Sequence, residues 1–222
     1  MALLGEKDRE YLKNLFAEKM ENDVKVVFFT QNINCDYCPD TEMILKEVEE
    51  LSDKIKVDVH NFATEKELAE KYGVDKVPAI IPLQVKGDEE KDFGIRFFGI
   101  PSGYEFTSLI ESIIGASTGK TDLSEKTKNA IKNIKEPVHI QVFITPTCPY
   151  CPRAVMLSHK MAIESEAIRA DMIESIEFPQ LADKYGVYAV PKVVINDKVE
   201  FEGALPEPQF LEKVLEAVEV EV

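Results

Sequence analysis

The chain has 222 residues, 41 acidic against 26 basic side chains, a formal charge of −15 and 45% hydrophobic content. That hydrophobic content rules out a disordered chain, and the length fits one large domain or two of about 110 residues. The charge repels nucleic-acid backbones and anionic membrane surfaces, so neither is an expected partner, and no apolar run reaches the roughly 18 residues that cross a bilayer.

The opening, MALLGEKDREYLKNLF, has no basic stretch leading into a long apolar one, so no secretory leader is expected and a cytoplasmic location is. Abundant Glu and Lys, scarce Gln and absent Trp are compatible with a heat-loving source. An amphipathic helix is predicted over 6–20, with Tyr11, Leu12, Leu15 and Phe16 at helical spacing. A strand follows at 24–30 (VKVVFFT), then NINCDYCP with Cys35 and Cys38, a helix at 39–51, and a strand at 54–60. The next helix ends at KYG, with Gly73 as the residue that closes it. Val77-Pro78 opens the strand AIIPLQV, the polar VKGDEEKD reads as a hairpin or loop insert, a further strand ends at Gly99, and a helix closes the unit. ASTGKT (116–121) has the small, polar make-up of a linker.

The same order then recurs. A helix is expected over 122–134, with Asp122 and Glu125 as a capping box. It leads to the strand VHIQVFIT (138–145), then TPTCPYCP with Cys148 and Cys151, a helix at 152–163, and a strand at 167–173. A helix ending at Gly186, the step Val190-Pro191, the strand KVVIND, a strand ending at Gly203 and a last helix complete it. LAEKYGVDKVP at 68–78 and LADKYGVYAVP at 181–191 are 113 residues apart, as are Cys35 and Cys148. Two independent landmarks with one offset mark an internal duplication. The halves are placed at 1–116 and 117–222, each an α/β unit with parallel pairing of its first two strands and an antiparallel final hairpin.

All four cysteines stand in two C-x-x-C pairs, a spacing that serves either thiol–disulfide exchange or metal binding. A zinc site built from both pairs faces a gap of 109 residues between Cys38 and Cys148, far beyond the usual 15–20 or so. No metal is therefore expected. For exchange, one thiolate attacks and a second thiol resolves the mixed disulfide. A cysteine at a helix N-terminus gains from the unpaired N–H groups there, which makes Cys35 and Cys148 the nucleophiles and Cys38 and Cys151 the resolving thiols. Asp36 and Asp40 beside the first pair disfavour a thiolate, whereas Pro149 and Arg153 stand at those places in the second. Cys148 is thus expected to have the lower pKa.

A CxxC at a strand-to-helix turn, a Val-Pro about 43 residues on and a Gly after the last strand resemble a thioredoxin-fold domain, and TPTCPYCP resembles the glutaredoxin active site. Two such units in tandem resemble the glutaredoxin-like protein disulfide oxidoreductases of thermophilic prokaryotes. The resemblance implies two thioredoxin folds, each a central mixed sheet flanked by helices. It implies cis bonds at Val77-Pro78 and Val190-Pro191, which would form the client-binding loops. It further implies reduction, oxidation or isomerisation of protein disulfides with no bound cofactor beyond the cysteine pairs, and electrons from an NADPH-dependent flavoprotein like thioredoxin reductase. An electron-carrier adaptor feeding a peroxiredoxin-type peroxidase is the alternative.

The chain departs from thioredoxin in two respects. Asn34 and Thr147 stand where a Trp precedes the first cysteine, and Phe29 and Val142 where a buried acid lies. The proton acceptor for the resolving cysteines is therefore unassigned. Asp58 and Asp171 match at the 113 offset, but both read as solvated or turn-capping residues near strand ends. Tyr37 and Tyr150 fit docking or packing equally well. His60, His139 and His159 do not repeat at that offset and read as ordinary surface or strand residues, with Phe28, Phe29, Phe97 and Phe98 as packing.

Overall fold

The computed structural model describes residues 4–218. Helix α1 (Glu6–Lys19) buries Leu12 and Phe16, one turn apart, and leaves Tyr11 outside. Strand β1 (Asp23–Thr30) is buried on both faces, as suits a central strand: Val26 and Phe28 point to one core, Val27 and Phe29 to the other. It is followed by α2 (Cys38–Glu49), β2 (Ile55–Asn61) and α3 (Lys66–Lys71). Helix α3 ends as its sequence indicates. Gly73 takes φ +64°, and the Val74 N–H reaches back to the Ala69 carbonyl at 2.8 Å.

Strand β3 (Ala79–Lys86) turns through Gly87-Asp88 into β4 (Glu89–Asp92), so the polar insert is a hairpin whose extra strand is wholly exposed. Strand β5 (Ile95–Phe98) leads through a single 3-10 turn (Gly103–Glu105) into α4 (Phe106–Thr118), which closes on Gly119 at φ +62°. The end of α4 stays tied to the first repeat: Gln84 Nε2 donates to the Ala116 and Ser117 carbonyls, and Asn22 Nδ2 donates to Ser117 O.

The second repeat comprises α5 (Glu125–Lys132), β6 (Val138–Ile144), α6 (Cys151–Glu164), β7 (Ile168–Glu174), α7 (Pro179–Lys184), β8 (Lys192–Ile195), β9 (Val199–Glu202) and α8 (Glu207–Glu216). Its leading helix is shorter than the sequence indicates and is capped differently. Ser124, not Asp122, accepts the Thr127 N–H, and the distant Glu207 accepts both the N–H and the hydroxyl of Ser124. Asp122 instead pairs with Lys160 at 2.6 Å. Ser124 directly precedes the first helical residue, which is where a cap must sit.

Within the first repeat, β1 pairs parallel with β2 and antiparallel with β3, and β3 pairs antiparallel with β5. In the second, β6 pairs parallel with β7 and antiparallel with β8, and β8 with β9. The two half-sheets then fuse. Residues Ile95–Phe98 of β5 run parallel beside Ala170–Ile173 of β7, giving one nine-stranded sheet in the order β2-β1-β3-β5-β7-β6-β8-β9, with β4 branching from β3. Helices α1, α2, α4, α5, α6 and α8 contribute to the core on one face, α3 and α7 to that on the other. Phe28, Phe29, Phe97 and Phe98 are all fully buried in these cores. Among the described residues no helix is long and apolar enough to cross a membrane.

Candidate active site: two cysteine pairs on one edge of the sheet

Strands β1, β5, β7 and β6 all run in the same direction, so the loops that leave β1 and β6 lie on one edge of the sheet. Four strand spacings separate β1 from β6, which sets the two loops on the order of 20 Å apart. Each loop carries a disulfide. Cys35–Cys38 joins Cα atoms 5.4 Å apart and Cys148–Cys151 joins Cα atoms 5.5 Å apart. Two separate disulfides are not a zinc site of four thiolates. Among the described residues no group of three or more His, Cys, Asp and Glu side chains could hold a metal ion.

The second cysteine of each pair, Cys38 or Cys151, is the first helical residue and is fully buried, with Pro39 or Pro152 following it in the first turn. The first cysteine lies just ahead of the helix rather than on its opening residue, because Tyr37 and Tyr150 occupy the cap position. Cys35 is half-buried, whereas Cys148 is 7% exposed. The Cys151 N–H donates to Cys148 Sγ at 3.1 Å. At the first site the Cys38 N–H turns instead to the Cys35 carbonyl at 3.4 Å. Tyr37 and Tyr150 are both exposed beside the sulfurs, which favours docking over packing. Asp36, Asp40 and Arg153 are exposed as well.

Val77-Pro78 and Val190-Pro191 are both cis. Cys148 Sγ lies 3.6 Å from the Val190 carbonyl oxygen, which puts the second disulfide directly against its Val-Pro loop. Val77 shares a cleft with Asn34, the neighbour of Cys35. Each loop is tied to the following strand's end: Gly99 N–H donates to Pro78 O at 2.9 Å, and Gly203 N–H to Pro191 O at 2.8 Å. The sequence landmarks CxxC, Val-Pro and Gly are thus one spatial unit in each repeat.

Two residues lie differently from the sequence reading. Asp171 is not near a solvated strand end. It is buried inside β7 and is bonded by His139 Nε2 at 2.6 Å and by Arg169 Nε at 2.8 Å. Burial opposes its ionisation, but His139 and Arg169 outweigh that and hold its carboxyl below the usual range. Asp58, its counterpart, is half-buried on β2 and pairs with Lys25 and His60. His159 is no surface residue. It is buried between α4 and α6, its Nδ1 2.8 Å from Ser112 Oγ and its ring edge-on to Phe97, and burial pushes its pKa down to about 3.

The residue that sequence reasoning missed is Glu105. It sits fully buried on the 3-10 turn ahead of α4, and burial raises its pKa to about 7 against the smaller opposing effect of the neighbouring Ser108 hydroxyl. The turn packs against α6, and its Tyr104 N–H donates to Pro146 O, two residues before Cys148. The first repeat thus sets the turn that carries this buried acid against the second repeat's cysteine loop. Its one sequence signal is a carboxylate followed directly by FTSLI, five residues that are all apolar or small.

A redox-active cysteine pair beside a cis-proline loop, present twice on one sheet edge, defines a thiol–disulfide oxidoreductase built from two thioredoxin folds. The thioredoxin domain family matches residues 22–90 and 138–216, one stretch in each repeat, and the chain belongs to that family. A solved protein disulfide oxidoreductase from Aeropyrum pernix K1 superposes with a TM-score of 0.86 at 34% identity, over 95% of this chain and 91% of that one. The alkylhydroperoxide reductase protein AhpF of Enterococcus faecalis (V583) gives the same TM-score at 25% identity, over 95% and 99%. Among curated relatives, an NADH dehydrogenase of Bacillus subtilis (strain 168) is 25% identical over 201 residues, which is 90% of this chain and 36% of that protein. The chain spans little more than a third of that relative's length.

Proposed function

We propose that the chain is a protein disulfide oxidoreductase that works through two sites, one in each of the halves 1–116 and 117–222. The observation that carries this is the pairing of each CxxC disulfide with its own cis Val-Pro loop on a shared edge. In the reductive direction the Cys35 or Cys148 thiolate attacks one sulfur of a client disulfide. That S–S bond breaks, a mixed disulfide forms and the client's other sulfur leaves as a thiolate. Cys38 or Cys151 then attacks the mixed disulfide. The client leaves as a dithiol carrying two electrons, and the chain's own disulfide is restored. Val77 and Val190, ahead of Pro78 and Pro191, offer backbone to the client chain as a strand edge would. Glu105 serves as proton acceptor for Cys151: an acid with a pKa near 7 exchanges protons at neutral pH, and its turn abuts the loop of that pair.

The reducing partner in this reading is an NADPH-dependent flavoprotein of the thioredoxin-reductase kind, and the clients are proteins with disulfides, in a cytoplasmic setting. A second reading, delivery of electrons to a peroxidase, is favoured by the likeness to the alkylhydroperoxide reductase protein AhpF. Insulin-disulfide reduction with a dithiol donor tests the first reading. Activity is expected in the native chain, lower activity with either pair changed to Ser, and none with both pairs changed. Unaltered activity without either pair would overturn it. Isomerisation of scrambled disulfides that persists at full rate with one pair removed would show that the two sites do not cooperate.

A further inference from the structure

The duplication leaves the two sites with different neighbours. In the second repeat β9 is the edge of the sheet, so the loop ahead of Val190 opens to solvent and Tyr188 is 95% exposed. In the first repeat the strand beyond β5 is β7, and the segment after β7 lies beside the first repeat, where Glu177 accepts the Ile100 N–H. A cleft of about 690 Å3 lies between them. Phe62 and Val77 line it from the first repeat, and Phe178, Pro179, Gln180 and Leu181 from the second. Phe62, Val77, Phe178 and Leu181 are half-buried apolar side chains packed on the smaller core, each still presenting surface to the cleft. The volume falls within the range of about 300–1,000 Å3 typical of binding clefts.

We infer that this cleft is a specificity subsite of the Cys35 site: it takes a large apolar side chain that flanks the reacting cysteine in an extended client segment. The inference rests on the oxidoreductase reading and adds the choice of client. Two points on the cleft fix the occupant. Asn34 lines it and precedes Cys35, and Val77 lines it and precedes cis-Pro78. A client chain bonded to Cys35 and laid along Val77 therefore runs directly into the cleft. In such strand-like docking the main chain supplies affinity, and side-chain recesses beside it supply selectivity. Phe62, Val77, Phe178 and Leu181 give the recess apolar surface among the polar Gln31, Asp75, Lys76 and Glu177, and that apolar surface is what an apolar side chain would cover. Phe178 and Leu181 belong to the second repeat, so the Cys148 site, with no third repeat beyond β9, lacks an equivalent wall. The Cys35 site is thus the selective one and the Cys148 site the general one.

The experiment isolates each pair by changing the other to Ser and measures kcat/KM for disulfide peptides that differ only in a Phe or a Ser beside the cysteine. A small aliphatic disulfide serves as reference. At the Cys35 site the Phe peptide is expected to be favoured by about tenfold, the scale set by burying one large apolar side chain. Two variants should abolish that preference: Phe178→Ser, and Gln180→Trp, which fills the cleft from an exposed position and spares the core. Neither should alter the rate with the small disulfide, and neither should affect the Cys148 site. A preference that survives Gln180→Trp would overturn the inference. So would a concentration-dependent dimer that Gln180→Trp dissolves, which would give the cleft to a second copy of the chain. Failure of the native Cys35 pair to react with the small disulfide would instead overturn the oxidoreductase reading of that site, and this inference with it.

Discussion

Cys35 and Cys148 hold equivalent places in the repeat and meet different surroundings. The Cys151 N–H points at Cys148 Sγ, and a donor aimed at sulfur favours the anion. At the other site Asp36 and Asp40 stand near Cys35, and the corresponding N–H is turned to a carbonyl. Arg153 is exposed on the first turn of α6, so the backbone donor is the nearer cause. In variants that retain a single cysteine, titration of the thiolate absorbance should place Cys148 below Cys35; the reverse order would sink this account. Glu105 allows a second prediction. As a proton acceptor it works only when ionised, so turnover by the Cys148 pair should rise as the pH passes about 7. Glu105→Gln should remove that limb and slow the pair by about tenfold or more, leaving the Cys35 pair unchanged. An unaltered pH profile in Glu105→Gln would show that the acid is only a buried residue.

The two half-sheets are joined by the short β5–β7 seam, beside the α4–α6 contact, and the seam depends on Gly99. This residue has φ +96°, and a Cβ placed there would lie 2.5 Å from Glu174 Cβ across the seam. Its counterpart Gly203 has φ +88° with nothing within 4 Å. Both alanine variants carry the left-handed backbone cost of roughly 1–2 kcal/mol, but only Gly99→Ala adds the clash. Urea unfolding should show a clearly lower midpoint for Gly99→Ala than for Gly203→Ala, and equal losses would refute the steric argument. The same contrast shows what was legible in the sequence. The duplication, both cysteine pairs and the Val-Pro steps were readable because each is a local signature at constant offset, and the Gly87 hairpin because a polar, glycine-bearing insert interrupts that offset. The seam was not: IRFF is four residues long, and its buried Arg96 reads as a solvent-facing position. In the structure Arg96 is satisfied by a fork on Asp92 at 2.9 and 2.7 Å and by the Tyr72 carbonyl at 2.9 Å. Glu105 was hidden for a related reason, since what buries it is a helix 46 positions on in the chain, and Asp171 because its partners His139 and Arg169 act across and along the sheet.

At the scale of the whole molecule, the contact between repeats contains groups that titrate on folding, and their signs oppose one another. His159 joins α4 of the first repeat to α6 of the second through Ser112. Its folded pKa is about 3 against an ordinary 6.5, so the unfolded chain takes up a proton that the folded one refuses. Its contribution to stability is therefore complete above about 6.5 and is lost as the pH falls toward 3. Glu105 and Glu177 behave inversely. Burial raises both to about 7; in Glu177 the bond from the Ile100 N–H opposes that and neighbouring Glu174 adds to it. Their contribution is complete below the ordinary carboxylate value of 4.5 and is lost as the pH rises through about 7. Comparing unfolding free energies of the native chain and single variants separates the two. Relative to His159→Gln, the native chain should hold a constant advantage above about pH 6.5 and lose it toward pH 3, at a slope approaching about 1.4 kcal/mol per unit. Relative to Glu105→Gln, it should lose ground between about pH 4.5 and 7 and run parallel above that. Because both groups lie where the repeats meet, these changes should appear as a shift of the single cooperative transition. Separate melting of one repeat at either extreme of pH would show that the fused sheet does not bind the halves into one folding unit.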